Sequence, residues 1–269
     1  MNINPKVLAI ADLHLDIWLI KGRDPLTSFD PDFLASLDAL IIAGDLSNKP
    51  KVRWPKMLAH LARYVPTERI YLFPGNHDYY DHVLNGDDRL AAICEDAGAN
   101  FAQKQVLQFG GCRYLCCTLW TDFALTGATE ACMYQASQAM NDYHYIRWAA
   151  GGAFRKITPI DVLRTHTDHR AWLEARLAEP FAGRTIVVTH HAPLADCITD
   201  DSPVHAAYAS DLSQLIETYQ PDEWLFGHTH HQIAFQHGKT RLRNISLGYP
   251  WEVTAASETE VLARLAGFV

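Results

Sequence analysis

Five short apolar runs in this chain are each followed at once by aspartate, asparagine or histidine. These residues are Asp12 and His14, Asp45 and Asn48, Asn76 and His77, His190 and His191, and His228 and His230. Carboxylate, amide oxygen and imidazole suit Mn²⁺, iron or Zn²⁺, and no cysteine stands among them. With one carboxylate shared, such ligands can hold two ions roughly 3.5–4 Å apart, the spacing that serves in-line displacement at phosphorus.

The apolar runs themselves predict buried strands at residues 6–11, 39–43, 69–73, 185–189 and 223–226. Helical patterns lie at about residues 52–64, 87–97, 159–178 and 210–219. Thr158 and Ser210 can cap the last two helices, and Pro159 suits a first helical turn. Alternation of strands and helices predicts a sheet of parallel character, with ligands at the carboxyl ends of its strands.

Two stretches predict β-hairpins, because glycine-containing turns separate short strand patterns. The first turn is Gly110-Gly111, between residues 106–109 and 113–119, and the second is His237-Gly238-Lys239, between residues 233–236 and 240–245. The hairpins predict a second, more antiparallel layer. Residues 120–156 show no clear period, and we expect them to form a cap or insertion within a single domain of residues 1–269.

In kind and order, these polar residues resemble the motifs of the calcineurin-like metallophosphoesterases. That family carries DxH, GDxx(D/N), GNH(D/E), a lone His and GHxH. This chain has Asp12-x-His14, Gly44-Asp45-x-x-Asn48, Gly75-Asn76-His77-Asp78, His190 and Gly227-His228-x-His230. A single DxH means little, but five ordered blocks are specific. The resemblance implies an α/β fold, namely a four-layer α/β/β/α sandwich with two mixed β-sheets.

The resemblance also implies a role for each residue. Asp12, His14 and His230 would hold one metal ion, Asn76, His190 and His228 the other, and Asp45 both. Two such ions, with Mn or Fe favoured over Zn, would provide a bridging hydroxide that attacks a phosphomonoester or phosphodiester of a small molecule. His77 would protonate the leaving oxygen or stabilise the phosphate without binding metal.

Asn48 stands where the protein-phosphatase branch of the family has a carboxylate that orients this histidine. An amide can hold an imidazole tautomer but does not stabilise an imidazolium as a carboxylate does. A small-molecule phosphoesterase is therefore favoured over a protein phosphatase. Asp78, beside His77, is a second candidate to orient it.

Six further residues are candidates for substrate contact: His191, Asp142, Tyr143, His144, Arg243 and Asn244. For His191, support of the neighbouring ligand is an equal alternative. For Asp142, Tyr143 and His144, the alternative is an aromatic cluster that packs residues 120–156 down. Arg243 and Asn244 lie near the edge of the sheet at which we expect the metal ions.

The chain of 269 residues has a net charge of −8, whereas a nuclease on the same fold would favour a basic cleft. Nucleic acid is therefore a disfavoured partner. A non-catalytic metal-binding module would lack a ligand, and none is missing. Monoester and diester substrates both stay open, and nothing in the sequence predicts the oligomeric state.

Six cysteines without a CxxC pair predict reduced, buried side chains in a chain that a core can stabilise. No run approaches ~18 apolar residues, so no membrane span is expected. Asp12 and His14 interrupt any signal-peptide core, and we expect a cytoplasmic protein.

Overall fold

The computed structural model describes residues 5–199, 204–254, 258, 260–262 and 265. The first sheet consists of β1 (Val7–Ile10), β2 (Ala39–Ala43), β3 (Ile70–Phe73) and β4 (Asn100–Phe101). The strands lie in sequence order, and each neighbouring pair is parallel. β1 and β2 are buried along their whole length, as expected for strands covered on both faces.

The remaining strands are β5 (Gln105–Phe109), β6 (Cys112–Cys117), β7 (Arg147–Ala150), β8 (Ala153–Lys156), β9 (Arg184–Thr189), β10 (Glu223–Phe226), β11 (Ala234–His237) and β12 (Thr240–Asn244). Six of them form a sheet in the order β11-β12-β10-β9-β6-β5, while β7 and β8 pair separately. The inner strands are parallel, and each outer pair is an antiparallel hairpin. Both predicted hairpins are therefore confirmed.

The helices are α1 (Leu15–Ile20), α2 (Pro31–Ala35), α3 (Pro50–Leu61), α4 (Asp87–Asp96), α5 (Thr129–Ala139), α6 (Asp142–Tyr145), α7 (Pro159–Leu177) and α8 (Ser213–Tyr219). At the start of α7, the N–H and hydroxyl of Thr158 both donate to the Asp161 carboxylate. α8 begins at Ser213 rather than Ser210, because the side chain of Asp211 accepts the Ser213 N–H and forms a turn first.

The two sheets pack face to face. A narrow gap between them is lined by Val7 and Ala9 of the first sheet and by Ile186 and Leu225 of the second. Alternation sends Val187 to the other face of β9, where the apolar cluster includes side chains of α7 and α8. These contacts place the second sheet between the first sheet and the helices α7 and α8.

Two further features differ from the sequence expectations. Among the described residues only the second sheet is mixed, since every pair in the first sheet is parallel. Residues 120–156 hold more regular structure than expected, namely α5, α6 and the β7–β8 hairpin. We call this segment the insertion. The six cysteines are free and buried, as predicted, and no helix in the described ranges is long and apolar enough to cross a membrane.

Candidate metal centre

Residues that follow β2, β3 and β9 meet at the carboxyl ends of their strands. His190 Nε2 lies 3.1 Å from Asn76 Oδ1 and 3.6 Å from Asp45 Oδ1. The second oxygen of Asp45 lies 3.8 Å from His14 Nε2, on the N-terminal side of the cluster. Asp45 therefore presents one oxygen to each side.

Asp12 connects the end of β1 with the C-terminal part of the chain. Its Oδ2 accepts the backbone N–H of His228 at 2.8 Å and the hydroxyl of Ser246 at 2.6 Å. Its Oδ1 lies 3.2 Å from His230 Nε2. An isolated parallel β-bridge between the backbones of Ala11 and Ser246 connects the two sheets at this point.

Among the described residues, both ring nitrogens of His14 and the Nε2 atom of His228 are buried without a hydrogen-bond partner. Buried polar atoms are costly unless they are paired. Ligands about 2.1 Å from a common ion lie roughly 3–4 Å from one another, which is the spacing found here. The donor set thus fits ions that take nitrogen and oxygen ligands.

The backbone of several predicted ligands has a strained conformation, which sets the direction of their side chains. Five of the predicted ligands have positive φ: Asp12 (53°), His14 (39°), Asp45 (58°), His228 (67°) and His230 (55°). Non-glycine residues seldom adopt this conformation, which costs of order 1–3 kcal/mol each and persists where the surrounding structure enforces it. Such strain concentrates at functional sites.

Gly75 lets two of the turns approach each other closely. A Cβ at this position would lie 2.2 Å from Asp45 Oδ1 and 2.6 Å from His190 Cε1. We expect Gly75→Ala to weaken Mn²⁺ binding by about tenfold or more, because ligands must move. Isothermal titration with Mn²⁺ measures this. Gly111→Ala is the control, since its Cβ would meet nothing within 4 Å; equal Mn²⁺ affinity for both variants would contradict the argument.

His77 lies beside the cluster and has the amide partner that the sequence predicts. Its Nδ1 is 2.9 Å from Asn48 Oδ1, and its backbone N–H donates to Asp45 Oδ1. The ring stacks on Tyr80, with 4.4 Å between centroids. Burial, with a smaller contribution from His190, lowers the pKa of His77 to about 3. The free protein therefore holds a neutral imidazole here.

Asp78 does not orient His77. Its carboxylate accepts the backbone N–H groups of Asp45, Ser47 and Gly75 and the indole N–H of Trp54. The side chain is fully buried and ties the turns after β2 and β3 together. Asp78 thus builds the loops that carry the ligands, and the expectation of direct contact with His77 is wrong.

The segment after β12 contributes residues that the sequence reasoning missed. Tyr249 stacks on His14 at 4.2 Å between ring centroids, and Glu252 Oε2 lies 2.8 Å from His230 Nδ1. Burial opposes the charged form of His230, but Asp12 and Glu252 outweigh it and raise the pKa of His230 to about 10. Metal binding through this imidazole therefore releases a proton. No motif marks Tyr249 or Glu252.

A cavity of about 680 Å³ opens above the cluster. Among the predicted ligands, Asp45, Asn76, His228 and His230 line it, whereas Asp12, His14 and His190 lie deeper. His77 also lines it. The predicted ligands and His77 are thus brought together at the floor of one cavity.

The substrate-contact candidates divide into two groups. Asp142 lines the cavity, while Tyr143 is buried and His144 is exposed, and neither lines it. His191 lies behind His228, with 4.3 Å between ring centroids. Arg243 is buried away from the cavity against Glu223, and Asn244 donates to Thr229 from below the loop.

Comparison with known proteins agrees with this geometry. A family model of calcineurin-like phosphoesterases matches residues 5–232. The chain belongs to the calcineurin-like phosphoesterase family. The resemblance predicted from the motifs is confirmed, and the protein is a hydrolase that acts on phosphoric ester bonds.

Two similar proteins span nearly the whole of this phosphoesterase. An uncharacterized protein of Acanthamoeba polyphaga mimivirus is 26% identical over 267 residues, covering 90% of this chain and 91% of that protein. The crystal structure of phosphopantetheinyl hydrolase from Mycobacterium tuberculosis has a TM-score of 0.71 and 19% identity, covering 94% of this chain and 92% of that chain. The latter likeness shows a shared fold.

Proposed function

We propose that this phosphoesterase hydrolyses a phosphodiester of a small molecule with the aid of two divalent metal ions. The observation that carries the proposal is the cluster of buried oxygen and nitrogen atoms, 3.1–3.8 Å apart, beneath an open cavity. One ion would be held by Asp12, His14 and His230, the other by Asn76, His190 and His228, and Asp45 would bind both.

Ions at these ligands would supply a hydroxide nucleophile at neutral pH and neutralise charge on the phosphoryl oxygens. The chain's own residues hold the geometry. Asp12 is fixed by Ser246 and by the backbone of His228. Asn48 holds the ring of His77 at the cavity wall, where an imidazolium formed beside the bound phosphate anion would protonate the leaving oxygen.

The lining of the cavity favours a diester over a monoester. Among the described residues that line it there is no lysine or arginine, whereas it is lined by two carboxylates that are not predicted metal ligands, those of Asp142 and Glu252. A monoester carries more negative charge near neutral pH and would be repelled more strongly. Met140 and Ile198 line the same cavity and suit an uncharged second substituent.

With Mn²⁺ present, we expect kcat/KM for bis-p-nitrophenyl phosphate to exceed that for p-nitrophenyl phosphate by about tenfold, or about 1.4 kcal/mol. Dialysis against a chelator should abolish both activities, and Mn²⁺ should restore them. Steady-state assays with metal analysis by mass spectrometry test this. Preference for the monoester would overturn the diester assignment alone, whereas no bound metal and no turnover would overturn the proposed function.

A further inference from the structure

Asp142 makes two hydrogen bonds that connect the insertion to the metal centre. It is the first residue of α6, and its side chain is 3% exposed. One oxygen, Oδ1, accepts the Asn76 Nδ2–H at 2.9 Å and the Tyr80 hydroxyl at 2.7 Å. Tyr80 in turn stacks on His77. The Asp142 carboxylate thus binds both Asn76, a predicted metal ligand, and Tyr80, which stacks on the predicted acid His77.

The bond to Asn76 decides which way its amide points. An amide donates only from nitrogen and accepts only through oxygen, so Nδ2 must face the Asp142 carboxylate. This directs Oδ1 to the opposite side, 3.1 Å from His190 Nε2, where the ligand atoms gather. A flipped amide would set oxygen against the carboxylate and offer the cluster an N–H, which cannot bind a metal ion.

We propose that Asp142 is a positioning residue, which the insertion supplies to hold the Asn76 amide oxygen toward the metal ion. The inference rests on the proposed metal site. It assigns the insertion a part in building that site, beyond covering it. Tyr80 strengthens the arrangement, since its hydroxyl occupies the same oxygen and keeps the carboxylate in place.

Asp142→Ala should weaken one of the two Mn²⁺ binding steps by about 10–100-fold and leave the other near its wild-type value, because one ion alone uses Asn76. Isothermal titration with Mn²⁺ gives both constants, and electron paramagnetic resonance reports loss of the coupled pair of ions. Asp142→Asn keeps an acceptor oxygen and should restore most of the affinity. Asp142→Leu keeps the bulk of the side chain without an acceptor oxygen and should bind Mn²⁺ as weakly as the alanine variant. It replaces the alanine variant in this experiment if that variant does not fold.

A double-mutant cycle separates positioning from general structural support. In an Asn76→Ala background there is no amide to orient, so adding Asp142→Ala should cost less than about twofold further in Mn²⁺ affinity. Asn85→Ala is the matched control, because Asn85 anchors β7 of the insertion through Ala149 and lies outside the cavity lining. It should bind Mn²⁺ as wild type does.

Wild-type affinity in Asp142→Ala, or an equal loss in the Asn76→Ala background, would overturn the inference while leaving the metal site intact. An Asn85→Ala loss as large as that of Asp142→Ala would also overturn it, since any loosening of the insertion would then suffice. If the wild-type protein bound no pair of Mn²⁺ ions, the proposed function would fail and this inference with it.

Discussion

Asp45→Asn is expected to abolish binding of the Mn²⁺ pair and to lower kcat/KM by more than about a thousandfold, a barrier increase of about 4 kcal/mol. Asp45 presents Oδ1 toward His190 and Oδ2 toward His14, so each of its two oxygens faces one side of the cluster. An amide offers only one oxygen and no charge. Metal analysis and diester turnover measure the two effects.

The same variant should not destabilise the metal-free protein. Burial, and then the nearby charge of Asp12, raise the pKa of Asp45, so its ionised form is unfavourable without metal. At 100-fold excess over Kd, Mn²⁺ should stabilise the wild type by about 2.7 kcal/mol, raising its Tm by about 5 °C or more. The metal-free variant should melt at or above the metal-free wild type and should not respond to Mn²⁺.

Asp96→Asn provides the charge-matched control, because this aspartate is exposed at the end of α4. It should retain metal and activity. Two bound Mn²⁺ ions in Asp45→Asn would show that the carboxylate is not shared, and a metal-free variant that melts well below the wild type would mean that Asp45 serves the fold.

His77→Ala is expected to keep both Mn²⁺ ions and to lose about 10²–10⁴-fold in kcat on a diester with an alkyl leaving group. An alkoxide needs a proton as it leaves, whereas p-nitrophenolate does not. The loss should therefore be much smaller on bis-p-nitrophenyl phosphate. Comparing kcat for the two diesters, with metal content measured alongside, tests the assignment.

Asn48→Ala should also lower kcat more on the alkyl diester than on bis-p-nitrophenyl phosphate, but by a smaller factor than His77→Ala does. The reason is that it frees the His77 ring without removing it. His237→Ala, on the hairpin strand β11, is the control and should match the wild type. An equal loss on both diesters would assign His77 to phosphate binding rather than proton transfer. If His77→Ala turned over both diesters at the wild-type rate, His77 would have no role in catalysis.

The predicted ligands were accessible to sequence reasoning because each directly follows a buried strand. Parallel strands in neighbouring positions bring their ends together without further information, so Asp12, Asp45 and Asn76 could be grouped from order alone. The hairpin turns at 110–111 and 237–239 were equally local, since glycine at the turn marks them.

What the sequence did not reveal depends on contacts between distant segments. Asp142 and Glu252 reach Asn76 and His230 only after the insertion and the segment beyond β12 have packed. Neither follows a predicted strand or carries a motif. Asp78 was misjudged for the same reason, because its neighbour in sequence is His77 but its partners are the N–H groups of two turns.

The hydrogen bonds of Asp12 join residues that the ribosome makes at very different times. Its carboxylate is bound by groups 216 and 234 residues further along the chain. While the polypeptide is being made, the first sheet can form long before His228 and Ser246 have left the ribosome. During that interval the carboxylate lacks the donors that hold it, and His230 has not been made. Each predicted ion site takes a ligand from residues 228–230, so neither can hold its ion with the full ligand set until that segment has been made and has packed against Asp12.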